Sequence, residues 1–264
     1  MIHSIHQTIF IFHVILGSVA LISFWFPIIA TKGSTKHKIS GKVFAYAMYT
    51  VAISGLLMTT MALAMPIATY AIDLTLEAAK LEQYVMRIRT MNSFLFMLSL
   101  LVLTSTYHAM TSVKVKTDRS SMRTTRYQTP IVLLGITGIA MLLIGIDKTQ
   151  YLYMIFGGIS IGSAIGTLRY IHKKTVTANA WLIEHFSGLI GAGIGAYTAF
   201  FAFGGRRLLS DVFVGNLQLI PWVLPSIIGV SYTYWLIAKY QSKNQTNTQS
   251  VRAESPSHKP PLAS

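Results

Sequence analysis

The sequence predicts an all-α fold, a polytopic membrane helix bundle of about seven transmembrane helices, and three observations carry that prediction. Of its 264 residues, 52% are hydrophobic and 11% charged, with a mean hydropathy of +0.52; a soluble domain carries roughly 25% charged residues. Seven stretches approach the roughly 20 apolar residues that a helix needs to cross a bilayer. The 22 Lys and Arg residues, set against 8 Asp and Glu, collect in short connections between those stretches, as topology signals do.

The seven spans fall roughly at residues 8–30, 43–70, 92–113, 130–146, 151–168, 181–203 and 217–238. The first resembles a cleavable leader in position only. Residues 1–7 hold no Lys or Arg, the apolar run is too long and the basic cluster comes after it, so it reads as an uncleaved anchor. Between spans two and three, Leu74, Ala78, Leu81, Val85 and Ile88 recur at helical spacing, with Glu77, Lys80 and Arg87 elsewhere. That pattern predicts one outer amphipathic helix over 73–91, lying on the surface or extending span three.

Spans four and five are short, and residues 147–150 leave room for little more than a tight turn. A re-entrant pair therefore competes with two full crossings. Span six sets Glu184 and His185 in an apolar run and divides into two faces. Glu184, Gly188, Gly191 and Gly195 share the small, polar face, while Ile183, Phe186 and Ile190 share the bulky one. Small residues let membrane helices approach closely, so Gly188, Gly191 and Gly195 are the predicted helix-packing positions. From Gln241 the composition turns polar and rich in Pro and Ser. This predicts a transmembrane bundle over 1–240 and a disordered cytoplasmic tail over 241–264.

With the N-terminus outside and seven crossings, 16 of the 22 basic residues fall inside: the cluster Lys32, Lys36, Lys38, Lys42, a second over 114–126, a third at Arg169, Lys173 and Lys174, and the C-terminal cations. The predicted orientation is N-out and C-in, in a cytoplasmic (inner) membrane, with the lipid bilayer as partner. The net charge of +14 is then a topology signal. No nucleic-acid motif accompanies it.

The absence of cysteine excludes disulfides, thiolate zinc sites, iron–sulfur clusters and cysteine nucleophiles. Any metal or cofactor must be held by His, carboxylate, Met or Tyr. Glu184-His185 lacks the second histidine of a metalloprotease helix, and no Gly-Lys-Ser/Thr follows the glycines at 157–166. No catalytic motif is present, so no catalytic residue is assigned and whether the chain is an enzyme stays open.

Ionisable groups at membrane depth point to function by default, and three of the eight histidines, His13, His108 and His185, fall within spans. His37 stands in the first inner loop. The direction of each span puts His108 and His185 at a similar depth near the inner boundary, with His13 in the outer half. Two level histidines on different helices could clamp a b-type haem, with inner-loop cations receiving its propionates. His108, His185, His13 and His37 are thus the cofactor-binding candidates. A divalent metal could instead take His108, His185, Glu184 and His37. Two other classes remain: a proton-coupled transporter or channel using the intramembrane Glu and His, and a non-catalytic assembly or scaffold protein in which the glycines matter and the histidines do not.

The first quarter of the chain carries a resemblance. His13-x-x-x-Gly17 in span one, then Lys32-Gly33 and His37-x-x-x-Gly41-Lys42 leading into span two, resemble the opening of a group of bacterial predicted multi-pass membrane proteins of unknown function. The Trp181-x-x-x-His185 helix resembles some of them. The resemblance implies that His13, Gly17, His37 and Gly41 are positions of interest, with no role attached.

Overall fold

The computed structural model describes residues 1–72, 75, 77–201 and 220–254, the last with backbone alone at 221, 222 and 241–254. Among them all regular structure is helical. Helix α1 (Ile2–Ser23) continues into the short α2 (Trp25–Ile29); α3 (Thr35–Ala64) is followed by α4 (Pro66–Tyr70). Then come α5 (Ala78–Val115), a 3-10 turn (Ser120–Arg123), α6 (Thr125–Asp147), α7 (Tyr151–His172), α8 (Ala180–Ala199) and α9 (Ile220–Glu254). Five of these, with α1 and α2 taken together and then α3, α5, α6 and α7, are long and apolar enough to cross a membrane. Helices α8 and α9 are not among those five; α9 turns polar in its second half.

Local chemistry explains where the elements start and stop. Gly33, at φ +81°, makes the turn into α3, a conformation costly for residues with a Cβ. The Ser34 hydroxyl oxygen then accepts from the backbone N–H of His37 at 3.2 Å, an N-cap that begins α3 eight residues before the apolar run at Val43. Pro66 cannot continue the ladder and opens α4 at its first position instead.

Two sequence expectations sharpen here. Of the two forms expected for the segment over 73–91, the structure shows the extension of span three and no separate surface helix: from Ala78 it forms the N-terminal part of α5, whose 38 residues extend about 57 Å at 1.5 Å per residue. An amphipathic stretch with no breaker before Asn92 has nothing to end it. Residues 73, 74 and 76 lie outside the described residues. The α6–α7 pair, read as short, consists of helices of 23 and 22 residues, each about 33 Å long and enough for a roughly 30 Å hydrocarbon core. Glycines bring them together. A Cβ at Gly157 would stand 2.8 Å from the Gly138 carbonyl oxygen and 2.8 Å from Leu142 N.

Helix α5 divides the interior. On one side Phe94, Met97 and Leu100 pack with Leu134 and Met141 of α6 and Phe156 of α7. On the other, Ala20 of α1, Phe44 and Met48 of α3 and Ala192 of α8 form a second cluster. Outward-facing residues such as Ile11, Phe12, Ile15 and Ile22 of α1 are exposed, a surface suited to acyl chains. Helix α9 lies against α8, with Gly229 on Ile194 and Tyr240 near Phe186, ring centroids 5.8 Å apart. Its backbone stays helical through Glu254, past the point where the polar tail begins. Residues 255–264, the 202–219 connection with Arg206 and Arg207, and the ends of spans six and seven that fall in it lie outside the described residues.

Candidate functional site

Helices α5 and α8 meet through two adjacent residues on each. His108, 4% exposed, places Nε2 3.1 Å from Glu184 Oε2, and the next residue, Ala109, offers its carbonyl to His185 Nδ1 at 3.2 Å. His108 and Glu184 are thus in direct contact, and His185 meets the backbone one residue along α5. Close approach is possible because Gly188 has no side chain: a Cβ there would lie 2.8 Å from Ala109 Cβ and 2.9 Å from the Ser105 carbonyl oxygen. Gly195 also packs: a Cβ there would lie 3.2 Å from Val102 Cγ2. Gly191 does not, since nothing lies within 4 Å of its Cβ position; Gly193 instead packs against Phe24, at the junction of α1 and α2.

The two histidines of this junction face opposite ways. His108 turns toward α6 and α7, where Nδ1 lies 2.9 Å from the Tyr127 hydroxyl and the Tyr170 ring packs edge-on with its centroid 5.4 Å away. A carboxylate only accepts, so Nε2 carries the ring hydrogen and Nδ1 of the neutral ring accepts from Tyr127. Both nitrogens of His108 are occupied. Arg119 closes this side, donating to the Tyr170 and Lys173 carbonyls at the end of α7, a helix C-terminus that favours cations.

His185 turns the other way, into a cavity of about 440 Å³ between α2, α3, α5, α8 and α9, which His37 also lines. Phe24, Phe44, Trp181, Leu189 and Leu236 make it apolar, and Lys32, Lys38, Lys42 and Lys114 contribute cations. Its volume is that of small-molecule sites, roughly 300–1,000 Å³. The two histidines are held alike. His37 Nδ1 donates to the Pro27 carbonyl at 2.9 Å, as His185 Nδ1 does to Ala109. A carbonyl oxygen can only accept, so Nδ1 carries hydrogen in both rings, and Nε2 is the nitrogen that holds the lone pair in the neutral form of each. Neither Nε2 makes a hydrogen bond within the described residues. A carbonyl that holds one ring N–H is how metal-binding histidines are oriented.

The candidate set therefore separates. His37 and His185 come together at the cavity, whereas His108 and Glu184 pair behind it. His13 stands apart, its Nδ1 2.9 Å from Ser54 Oγ on α3. Among the described residues no three His, Asp or Glu side chains are grouped to hold a metal ion, so the four-ligand set of His108, His185, Glu184 and His37 is not assembled. The physical reason is helical rotation: about 100° between neighbours sends Glu184 and His185 to different sides of α8.

Pattern reading missed the partners. Tyr127 and the Pro27 carbonyl hold His108 and His37, and nothing in their spacing marks them. Lys32 carries more than an anchoring charge: its Nζ donates to the Pro27 and Ile28 carbonyls at 2.9 and 2.6 Å. Burial, then the nearby charge of Lys239, holds the Lys32 ammonium below the ordinary lysine range.

The chain matches no protein-family model, and neither curated proteins nor solved structures give a match.

Proposed function

We propose that this is a multi-pass protein of the bacterial cytoplasmic membrane, with seven spans, N-out and C-in, that binds b-type haem in the cavity between His37 and His185. The observation that carries the reading is the shared state of those two rings, each with Nδ1–H given to a backbone carbonyl and an unengaged Nε2 in an apolar cavity that Lys38, Lys42 and Lys114 also line. Imidazole nitrogen suits haem iron, apolar walls suit the macrocycle, and ammonium groups suit propionates. The pair differs from the histidines that depth alone suggested, because His108 is spent on Glu184 and Tyr127. When bound, such a group supplies one-electron transfer. The chain's own residues hold it, keep water from it through Phe24, Phe44 and Trp181, and compensate its acidic groups.

Support for seven spans comes from α8 and α9. Helix α8 packs on α5 and α1 and α9 packs on α8, and the alternation puts the clusters at 32–42, 114–126 and 169–174 on one side.

The test is the absorbance of protein purified from haem-replete cells. A Soret band that shifts on reduction is expected, lost in His37→Ala and in His185→Ala and kept in His108→Gln. A colourless preparation that takes up no added haem would sink the proposal, and retention of the band in the His37→Ala/His185→Ala double variant would reassign the site.

A further inference from the structure

Two side chains share one acceptor at the edge of the cavity. The Pro27 carbonyl oxygen receives His37 Nδ1–H at 2.9 Å and Lys32 Nζ at 2.9 Å, while the same ammonium also reaches the Ile28 carbonyl at 2.6 Å. Lys32 and His37 are five residues apart across the turn at Gly33, and both line the cavity. A lysine on the last carbonyls of a short helix is first a C-terminal cap, and that role stands. Sharing the acceptor adds an electronic consequence. A carbonyl oxygen that already binds a cation has less negative charge to give an imidazole N–H, so the bond from His37 Nδ1–H to Pro27 is weaker than it would be with Lys32 elsewhere.

We propose that Lys32 is a positioning residue for His37, setting through the Pro27 carbonyl both the orientation of the ring and the donor strength of Nε2. Its redox consequence rests on the haem reading; its effect on the ring does not. With Lys32 replaced by an uncharged chain, Pro27 would bind His37 Nδ1–H alone and more strongly. Nε2 becomes the stronger donor, and a stronger donor favours ferric over ferrous iron.

The experiment compares the protein with Lys32→Met and Lys32→Arg. In the haem-loaded protein, Lys32→Met is expected to lower the reduction potential, raising the oxidised-to-reduced ratio at fixed poise by about tenfold, the scale of outer-shell changes. Haem affinity stays within a few-fold, and Lys32→Arg, which keeps charge and cap, restores the potential. Independently of any haem, the Nδ1–H resonance of His37 in protein labelled with 15N-histidine should move downfield in Lys32→Met and return in Lys32→Arg. An unmoved resonance overturns the inference. So does a haem affinity that collapses with the potential unchanged, which would make Lys32 a partner of the ligand's acidic groups. If the protein takes up no haem, the haem reading fails while the resonance still decides the role of Lys32.

Discussion

His108 Nε2 lies 3.1 Å from Glu184 Oε2, the imidazole 5% and the carboxylate 29% exposed, joining residues 76 positions apart in sequence. One residue along each helix, Ala109 and His185 repeat the connection. The two contacts act as a clamp on the register of α5 against α8. Sliding either helix by one residue breaks both, and with them the fixed orientation of His185 at the cavity.

Removing the carboxylate isolates the hydrogen on His108 Nε2. Glu184→Leu is expected to destabilise the protein by about 1–3 kcal/mol, the cost of stranding a buried polar group. Glu184→Gln, which keeps an acceptor oxygen, should cost less than half of that. Thermal unfolding in detergent measures both; equal midpoints for the two variants would show that the pairing adds nothing.

The glycines of α8 should differ sharply. At Gly188 an added methyl meets Ala109 Cβ at 2.8 Å and the Ser105 carbonyl oxygen at 2.9 Å, and backbone cannot step aside cheaply. Gly188→Ala is expected to cost about 1–3 kcal/mol through overpacking. Gly191→Ala, facing open space, should leave the unfolding midpoint unchanged or raise it, since alanine is the better helix former.

Stability should respond to pH through Lys32. Its folded pKa lies below the ordinary 10.5, chiefly through burial, so between the two values the unfolded chain holds more protons than the folded one. Stability from this group therefore rises with pH as that window is crossed. The unfolding midpoint of the protein relative to Lys32→Met should climb as pH approaches about 10.5, the ordinary lysine value. A flat or falling difference contradicts the sign.

Crossing by α7 can be read with single cysteines, because the chain has none of its own. Lys148→Cys, in the α6–α7 turn, should react with an impermeant maleimide from outside intact cells. Lys174→Cys, beyond the end of α7, should react only after permeabilisation. Labelling of both from one side would replace the crossing with a re-entrant pair.

How much of this was legible depended on the kind of interaction. Long apolar runs located the cores of α1, α3, α5, α6 and α7, because burial in lipid demands about 20 apolar residues whatever the neighbours are. Their ends were less legible. The start of α3 is set by the Ser34 cap and that of α5 lies well before Asn92, and polar helix termini are invisible to a criterion of apolarity. Direction and length of the spans also brought His108, Glu184 and His185 to one level, since rise per residue is constant along a helix.

The sequence by itself determined that the chain is helical, apolar and multi-pass in character, that cysteine chemistry is absent, and that histidines are its main ligand-capable side chains. These follow from composition and from distances along one axis. Only the tertiary structure decided which histidines share a space. That choice depends on the rotation of α5 and α8 about their axes, set where Gly188 admits Ala109, and it turns His108 toward Tyr127 and His185 toward His37.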